Sequence, residues 1–198
     1  YYPGLYQGTT AVEPEKTPEE GYTLNDDLSD RAVTWIRQQK ALMPDKPFFM
    51  YYAPGATHAP HHVPKEWSDK YKGKFDKGWD ELRKVTFDRQ KKLGVIPKDC
   101  KLTTRHKEIP SWDEMPEPFK PVLQREMEVY AGFMEYTDHH VGRMIDSLKS
   151  LGIKDNTLIF YIIGDNGASA EGSLNGCFNE MSYFNGLQSM ETPEYLTE

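Results

Sequence analysis

Two apolar runs, far apart in the chain, constrain its fold more than any other feature. Phe48-Phe49-Met50-Tyr51-Tyr52 follows Lys46-Pro47, and Thr157-Leu158-Ile159-Phe160-Tyr161-Ile162-Ile163 follows the turn residues Asp155-Asn156. Neither alternates polar with apolar, so each reads as a strand buried on both faces, the pattern of a mostly parallel sheet. A parallel pair needs a long crossover, which the intervening chain supplies, and the expected class is α/β. Each run ends in a loop at the carboxyl edge, where open α/β sheets bind ligands. The loops 53–64 and 164–172 are therefore expected on one rim.

Helical periodicity fills much of the rest. Asn25-Asp26-Asp27 supplies a cap and first-turn carboxylates, and Leu28, Ala32, Trp35, Ile36 and Leu42 recur at near-helical spacing, so a helix is expected over 26–42, stopped by Pro44. A second helix is expected around 77–93. From Pro121 to Gly152, Val122, Met127, Tyr130, Phe133, Val141, Met144, Leu148 and Leu151 track one broad face, which predicts a long helix with Gly152 as its C-cap. The organisation read from this pattern is an irregular 1–24, a helix, strand and histidine loop over 25–64, and a charged insertion over 65–118. A long helix, strand and Asp-Asn loop follow over 119–176, then an irregular 177–198.

Composition narrows the function classes. Counting glycine in place of tyrosine, apolar residues make up roughly 38% of the 198 residues, against about 45–50% in a complete soluble domain. No run of about 18 uncharged apolar residues exists for a membrane helix, and no basic-then-apolar leader opens the chain. With 24 Lys and Arg against 31 Asp and Glu, the net charge of −7 argues against a nucleic-acid partner. The basic stretch 65–107 is interleaved with Asp69, Asp76, Asp80, Glu81 and Asp88 and reads as an ion-paired face. Cys100 and Cys177 fit neither a metal nor a redox spacing.

Two constellations carry chemistry. Asp165 and Asn166 place a carboxylate and an amide oxygen side by side on a glycine-flanked turn, a donor set suited to Ca²⁺ or Mg²⁺, although an ordinary Asp-Asn-Gly turn has the same sequence. An EF-hand is excluded, because its third, sixth and twelfth positions would be Gly167, Ala170 and Gly176. Thr57-His58-Ala59-Pro60-His61-His62 puts three imidazoles within five residues on a proline-restrained loop. No cysteine or H-E-x-x-H helix supports zinc, so a histidine acting on an oxyanion or leaving group is the better functional reading beside that of a solvated loop. Of His139 and His140, one of an adjacent helical pair should face solvent while the other packs. No G-x-S-x-G, phosphate-binding loop or dinucleotide fingerprint occurs.

In order and separation, Pro47 to Tyr52, Thr57 to Pro64 and Gly164 to Gly172 strongly resemble a type I sulfatase, in particular a bacterial arylsulfatase. Tyr71-Lys72-Gly73-Lys74-Phe75-Asp76 and Glu128-Val129-Tyr130-Ala131 extend the likeness over nearly the whole chain. The resemblance implies an alkaline-phosphatase-like mixed, mostly parallel sheet flanked by helices. It also implies hydrolysis of aryl or carbohydrate sulfate esters by a formylglycine made from Cys or Ser, with Ca²⁺, or Mg²⁺ in its place. Asp165 and Asn166 match the family's C-terminal pair of metal ligands, and His58 matches the histidine lying against the sulfate and the leaving-group oxygen. His61 would line the substrate mouth.

Departures from the family pattern matter as much. Neither Cys100-Lys101-Leu102-Thr103 nor Cys177-Phe178-Asn179-Glu180 fits C/S-x-P-S-R, and the N-terminal metal-binding Asp pair is missing. The chain is therefore expected to be a central segment of a sulfatase catalytic domain. It would be inactive alone, its partner the rest of the parent chain, and the parent exported as many relatives are. The rivals are a phosphodiesterase or phosphonate hydrolase of the same superfamily and a non-catalytic Ca²⁺-binding relative.

Overall fold

The computed structural model describes residues 4–164, 174–177 and 180–197. Its elements are strands β1 (Leu5–Gln7) and β2 (Thr10–Val12) and helices α1 (Leu24–Leu42), α2 (Lys65–Asp69), α3 (Gly78–Leu93), α4 (Lys120–Ser150), α5 (Glu180–Phe184) and α6 (Pro193–Leu196). They group into two compact units, one of Tyr1–Trp67 with Gly132–Ser169, the other of Ser68–Ala131 with Ala170–Glu198. Among the described residues no helix is long and apolar enough to cross a membrane.

In the first unit, β1 and β2 form an antiparallel hairpin with Leu5 opposite Val12 and Gln7 opposite Thr10. Helix α1 starts two residues earlier than its acidic residues suggest. Thr23 is its N-cap and accepts the Asp26 N–H, while Asn25 turns inward and donates to Thr137 Oγ1 at 2.9 Å. The helix ends at Leu42, and Pro44 two residues on prevents its continuation. The end is tied down by Lys40, whose ammonium donates to the carbonyls of Pro44 and Lys46 at 2.9 and 3.0 Å.

Helix α4 supplies Phe133, Tyr136 and Leu148 to this unit's buried set, which α1 joins through Ile36. Buried hydroxyls Thr23 Oγ1 and Tyr136 Oη lie 2.8 Å apart and satisfy one another. Gly152, at φ +68°, closes α4: its N–H reaches Lys149 O and the Ile153 N–H reaches Leu148 O, a left-handed cap that glycine enters at little cost.

Neither apolar run pairs in a sheet among the described residues. The two-stranded β1–β2 ladder is the sheet these residues form. Phe49 and Ile162 are each 86% exposed. A strand is completed by its neighbours' hydrogen bonds, so an apolar segment without them stays open chain. The parallel pair expected from sequence is therefore not seen among the described residues, and within the expected irregular stretch 1–24 residues 5–12 form the hairpin.

In the second unit, Arg125 of α4 is a hub. It donates to Ser68 Oγ and pairs with Asp69 and with Glu128, each at 2.9 Å. Glu128, 7% exposed, also accepts the Gly73 N–H at 2.9 Å. Helix α3 opens at Gly78, where φ is +72° and the Trp112 ring packs so closely that a Cβ would fall 2.1 Å from Cγ. Only glycine fits both the backbone and the space. Trp79 donates to Pro110 O at 3.1 Å and stands edge-on to Trp112, fixing the loop 94–112 along α3.

Candidate active-site loop and its surroundings

His58 lies on the loop that leaves the first apolar run. Tyr52 anchors the run's end, its hydroxyl 2.8 Å from Ser29 Oγ, and burial raises the phenol's pKa. A tight turn follows, with the His58 N–H donating to Gly55 O at 2.8 Å. The imidazole Nδ1 sits 2.7 Å from the Ala59 carbonyl. A carbonyl can only accept, so Nδ1 carries a proton, and Nε2 is the nitrogen whose protonation can change. Backbone geometry thereby selects the tautomer suited to take up or return a proton at Nε2.

His61 is exposed and meets the Phe133 ring edge-on at 5.9 Å. His62 donates its N–H to Pro60 O at 2.9 Å, and burial, then the like charge of His61 among lesser causes, lowers its pKa. The structure brings the three histidines together on one loop of the first unit. Asp165 and Asn166 lie outside the described residues, so the rim expected to join them to His58 is not on view. Among the described residues no three His, Cys, Asp or Glu side chains gather into a metal site. No disulfide joins Cys100 to Cys177.

Sequence spacing gave no sign of a polar network between α1 and α4. Arg143 donates to Asp26 at 2.9 Å and also to Asp30, and its Nη1 lies 3.0 Å from His140 Nδ1. A guanidinium only donates, so His140 Nδ1 accepts and its proton sits on Nε2, a buried atom without a hydrogen-bond partner among the described residues. His140 is 2% exposed while His139 faces solvent, as expected of an adjacent pair. Burial lowers the His140 pKa, against the opposing charge of Asp26. In the second unit, Glu126 packs against Gly176, and burial aided by the Glu191 carboxylate pushes its pKa up to about 7.

Comparison with known proteins shows the family of the chain. The chain is 40% identical over 140 residues to an uncharacterized sulfatase of Schizosaccharomyces pombe, covering 70% of this chain and 25% of that protein. It is 31% identical over 137 residues to an arylsulfatase of Klebsiella aerogenes, covering 69% of this chain and 28% of that one. The chain therefore matches about a quarter of the length of these curated relatives. The sulfatase family profile matches residues 2–198, which is nearly every residue, and the chain belongs to the sulfatase family.

Proposed function

We propose that this chain is the central segment of an arylsulfatase-like sulfuric ester hydrolase. The observation that carries the reading is the family match over residues 2–198, and the similarity to the Klebsiella aerogenes arylsulfatase supports it. The tautomer of His58 is consistent with it. In this reading the whole protein acts on aryl or carbohydrate sulfate esters, its formylglycine nucleophile lies outside these 198 residues, and the segment alone is inactive.

The donor chemistry of Asp165 and Asn166, one carboxylate and one amide oxygen, suits a hard cation. These residues would hold Ca²⁺ together with ligands from elsewhere in the protein. When bound, the ion supplies charge neutralisation to an anionic ester. His58, with its Nδ1–H held on the Ala59 carbonyl, enters the reaction as the imidazolium, gives its Nε2 proton to the leaving-group oxygen as the S–O bond breaks, and is left as the neutral Nδ1–H ring. His61 lines the approach to it.

The two exposed apolar runs are consistent with strands of an alkaline-phosphatase-like sheet completed by other parts of the protein. The test is a substrate comparison on the full-length protein. The reading expects 4-nitrophenyl sulfate to be turned over with a higher kcat/KM than bis(4-nitrophenyl) phosphate. The reverse order makes the protein a phosphodiesterase. Ca²⁺ binding without turnover of either ester makes it a non-catalytic relative.

A further inference from the structure

The second unit holds a two-part cleft that the proposed hydrolysis does not use. One part, about 420 Å³, is walled by Trp79, Leu82, Phe87 and Leu102. The other, about 760 Å³, shares Trp79 and Arg83 with it and is walled further by Arg105, Lys107 and the single acid Asp80. Both parts lie open to solvent, so a ligand would lie along the surface with one face covered.

The charges of the second part do not cancel. Asp80 is held ionised, its pKa lowered by the Trp112 N–H first and by Arg105 after it, and its ion pair with Arg105 at 2.8 Å consumes both charges. Arg83 touches only a neutral group, donating to Thr103 Oγ1 at 2.6 Å, and has no carboxylate within ion-pair distance among the described residues. Lys107 likewise has none there, whereas His106 has Glu108 at 3.9 Å. Arg83, which lines both parts, therefore stands where the apolar part meets the basic part. At the far end, the Lys91 ammonium lies 4.5 Å over the Phe87 ring.

We infer that this cleft binds an amphiphilic organic oxyanion: an aromatic or alicyclic body laid between Trp79, Leu82, Phe87 and Leu102, with a sulfate, sulfonate or carboxylate head on Arg83. The planar guanidinium takes two oxygens of such a head. The apolar wall excludes small inorganic anions as sufficient ligands, and the unmatched guanidinium excludes neutral aromatics. The inference does not depend on the proposed hydrolysis.

The test is calorimetric titration of the chain with naphthalene-2-sulfonate, which no esterase step can consume, beside 2-naphthol and inorganic sulfate. Saturable 1:1 binding of the sulfonate is expected, with each of the other two at least about tenfold weaker and affinity falling as salt rises. Arg83→Gln should weaken it about tenfold and Lys107→Gln by less. The double substitution His58→Ala with Asp165→Asn should leave it unchanged, which separates this cleft from the proposed active site. Unaltered binding by Arg83→Gln, equal binding of 2-naphthol, or no saturation by about 1 mM sulfonate would overturn the inference. Arg83→Lys, which keeps the charge on a slimmer side chain, should retain part of the affinity and guards against a folding defect in the Gln variant.

Discussion

The Gly73 N–H donates to the buried carboxylate of Glu128 at 2.9 Å, joining two segments 55 residues apart that each carry part of the resemblance to sulfatases. Glu128 is held by Arg125 as well, so one carboxylate satisfies a backbone donor and a guanidinium together. Replacing it removes both acceptors at once. Glu128→Ala is expected to destabilise the chain by about 1–3 kcal/mol in urea unfolding, because the Gly73 amide and Arg125 lose their partner. Glu128→Gln, which keeps an acceptor oxygen, should cost less. Equal midpoints for Ala and wild type would show that the contact contributes nothing.

Gly78→Ala combines two penalties, a left-handed backbone and a Cβ driven into the Trp112 ring. The expected loss is about 2 kcal/mol or more, seen as a lower thermal midpoint together with altered tryptophan fluorescence as Trp112 is displaced. Gly94→Ala is the control: it shares a positive φ, but its Cβ would meet open space, so it should cost about 1 kcal/mol. If both substitutions cost the same, the ring contact is not what fixes glycine at 78.

A half-buried carboxylate and a buried imidazole give opposite pH slopes. Glu126 has its pKa pushed up to about 7 from an ordinary 4.5, so between those values the folded chain holds a proton that the unfolded chain has lost. Its contribution is present below about pH 4.5 and is lost as pH rises through about 7, up to about 3 kcal/mol. Glu126→Gln should flatten that loss and raise the melting temperature at pH 8. A lower melting temperature at pH 8 would mean that the carboxylate is stabilised by a partner when charged.

His140 works the other way. Burial lowers its pKa below the ordinary 6.5, so as pH falls beneath that value the unfolded chain gains a proton the folded chain resists. Stability should decline on acidification below about pH 6.5, and His140→Gln should weaken that decline. The groups facing the ring, Asp26 and Arg143 with Asp30 behind them, oppose one another in charge, and neither carboxylate reverses the direction. An NMR titration placing the His140 pKa above 6.5 would contradict this account.

The apolar runs yield a comparison between the chain and its parent. Phe49 is 86% exposed here, so Phe49→Ala should change the chain's stability by less than about 0.5 kcal/mol. In the full-length protein, if the run is a buried strand as proposed, the same substitution should cost about 3 kcal/mol or more. Equal small effects in both would remove the support these runs lend to a completed sheet.

Legibility in the sequence followed the range of the forces involved. Periodicity placed α1, α3 and α4 within a residue or two, since amphipathic spacing, Pro44 and Gly152 act locally. The cap of α1 was misplaced by two residues because Asn25, a good cap by type, is drawn inward by Thr137, a contact no local pattern encodes. The hairpin of β1 and β2 escaped notice because three-residue strands leave no period to read. The runs ending at Tyr52 and Ile163 read as strands from their own residues, but pairing needs neighbours that the described residues do not provide. The position of His58 on a loop after the first apolar run was legible in the sequence, whereas its Nδ1 contact with the Ala59 carbonyl and the Arg143 cluster depend on folding.

The central claim is that His58 acts in sulfate-ester hydrolysis. The measurement that tests it most directly is kcat/KM for 4-nitrophenyl sulfate in the full-length protein, wild type against His58→Ala, with circular dichroism confirming an unchanged fold. The account predicts a fall of about 10²–10⁴-fold, carried mainly by kcat, with less loss for substrates whose leaving phenol is more acidic and needs less help from a proton donor. Undiminished turnover by the His58→Ala protein would contradict it.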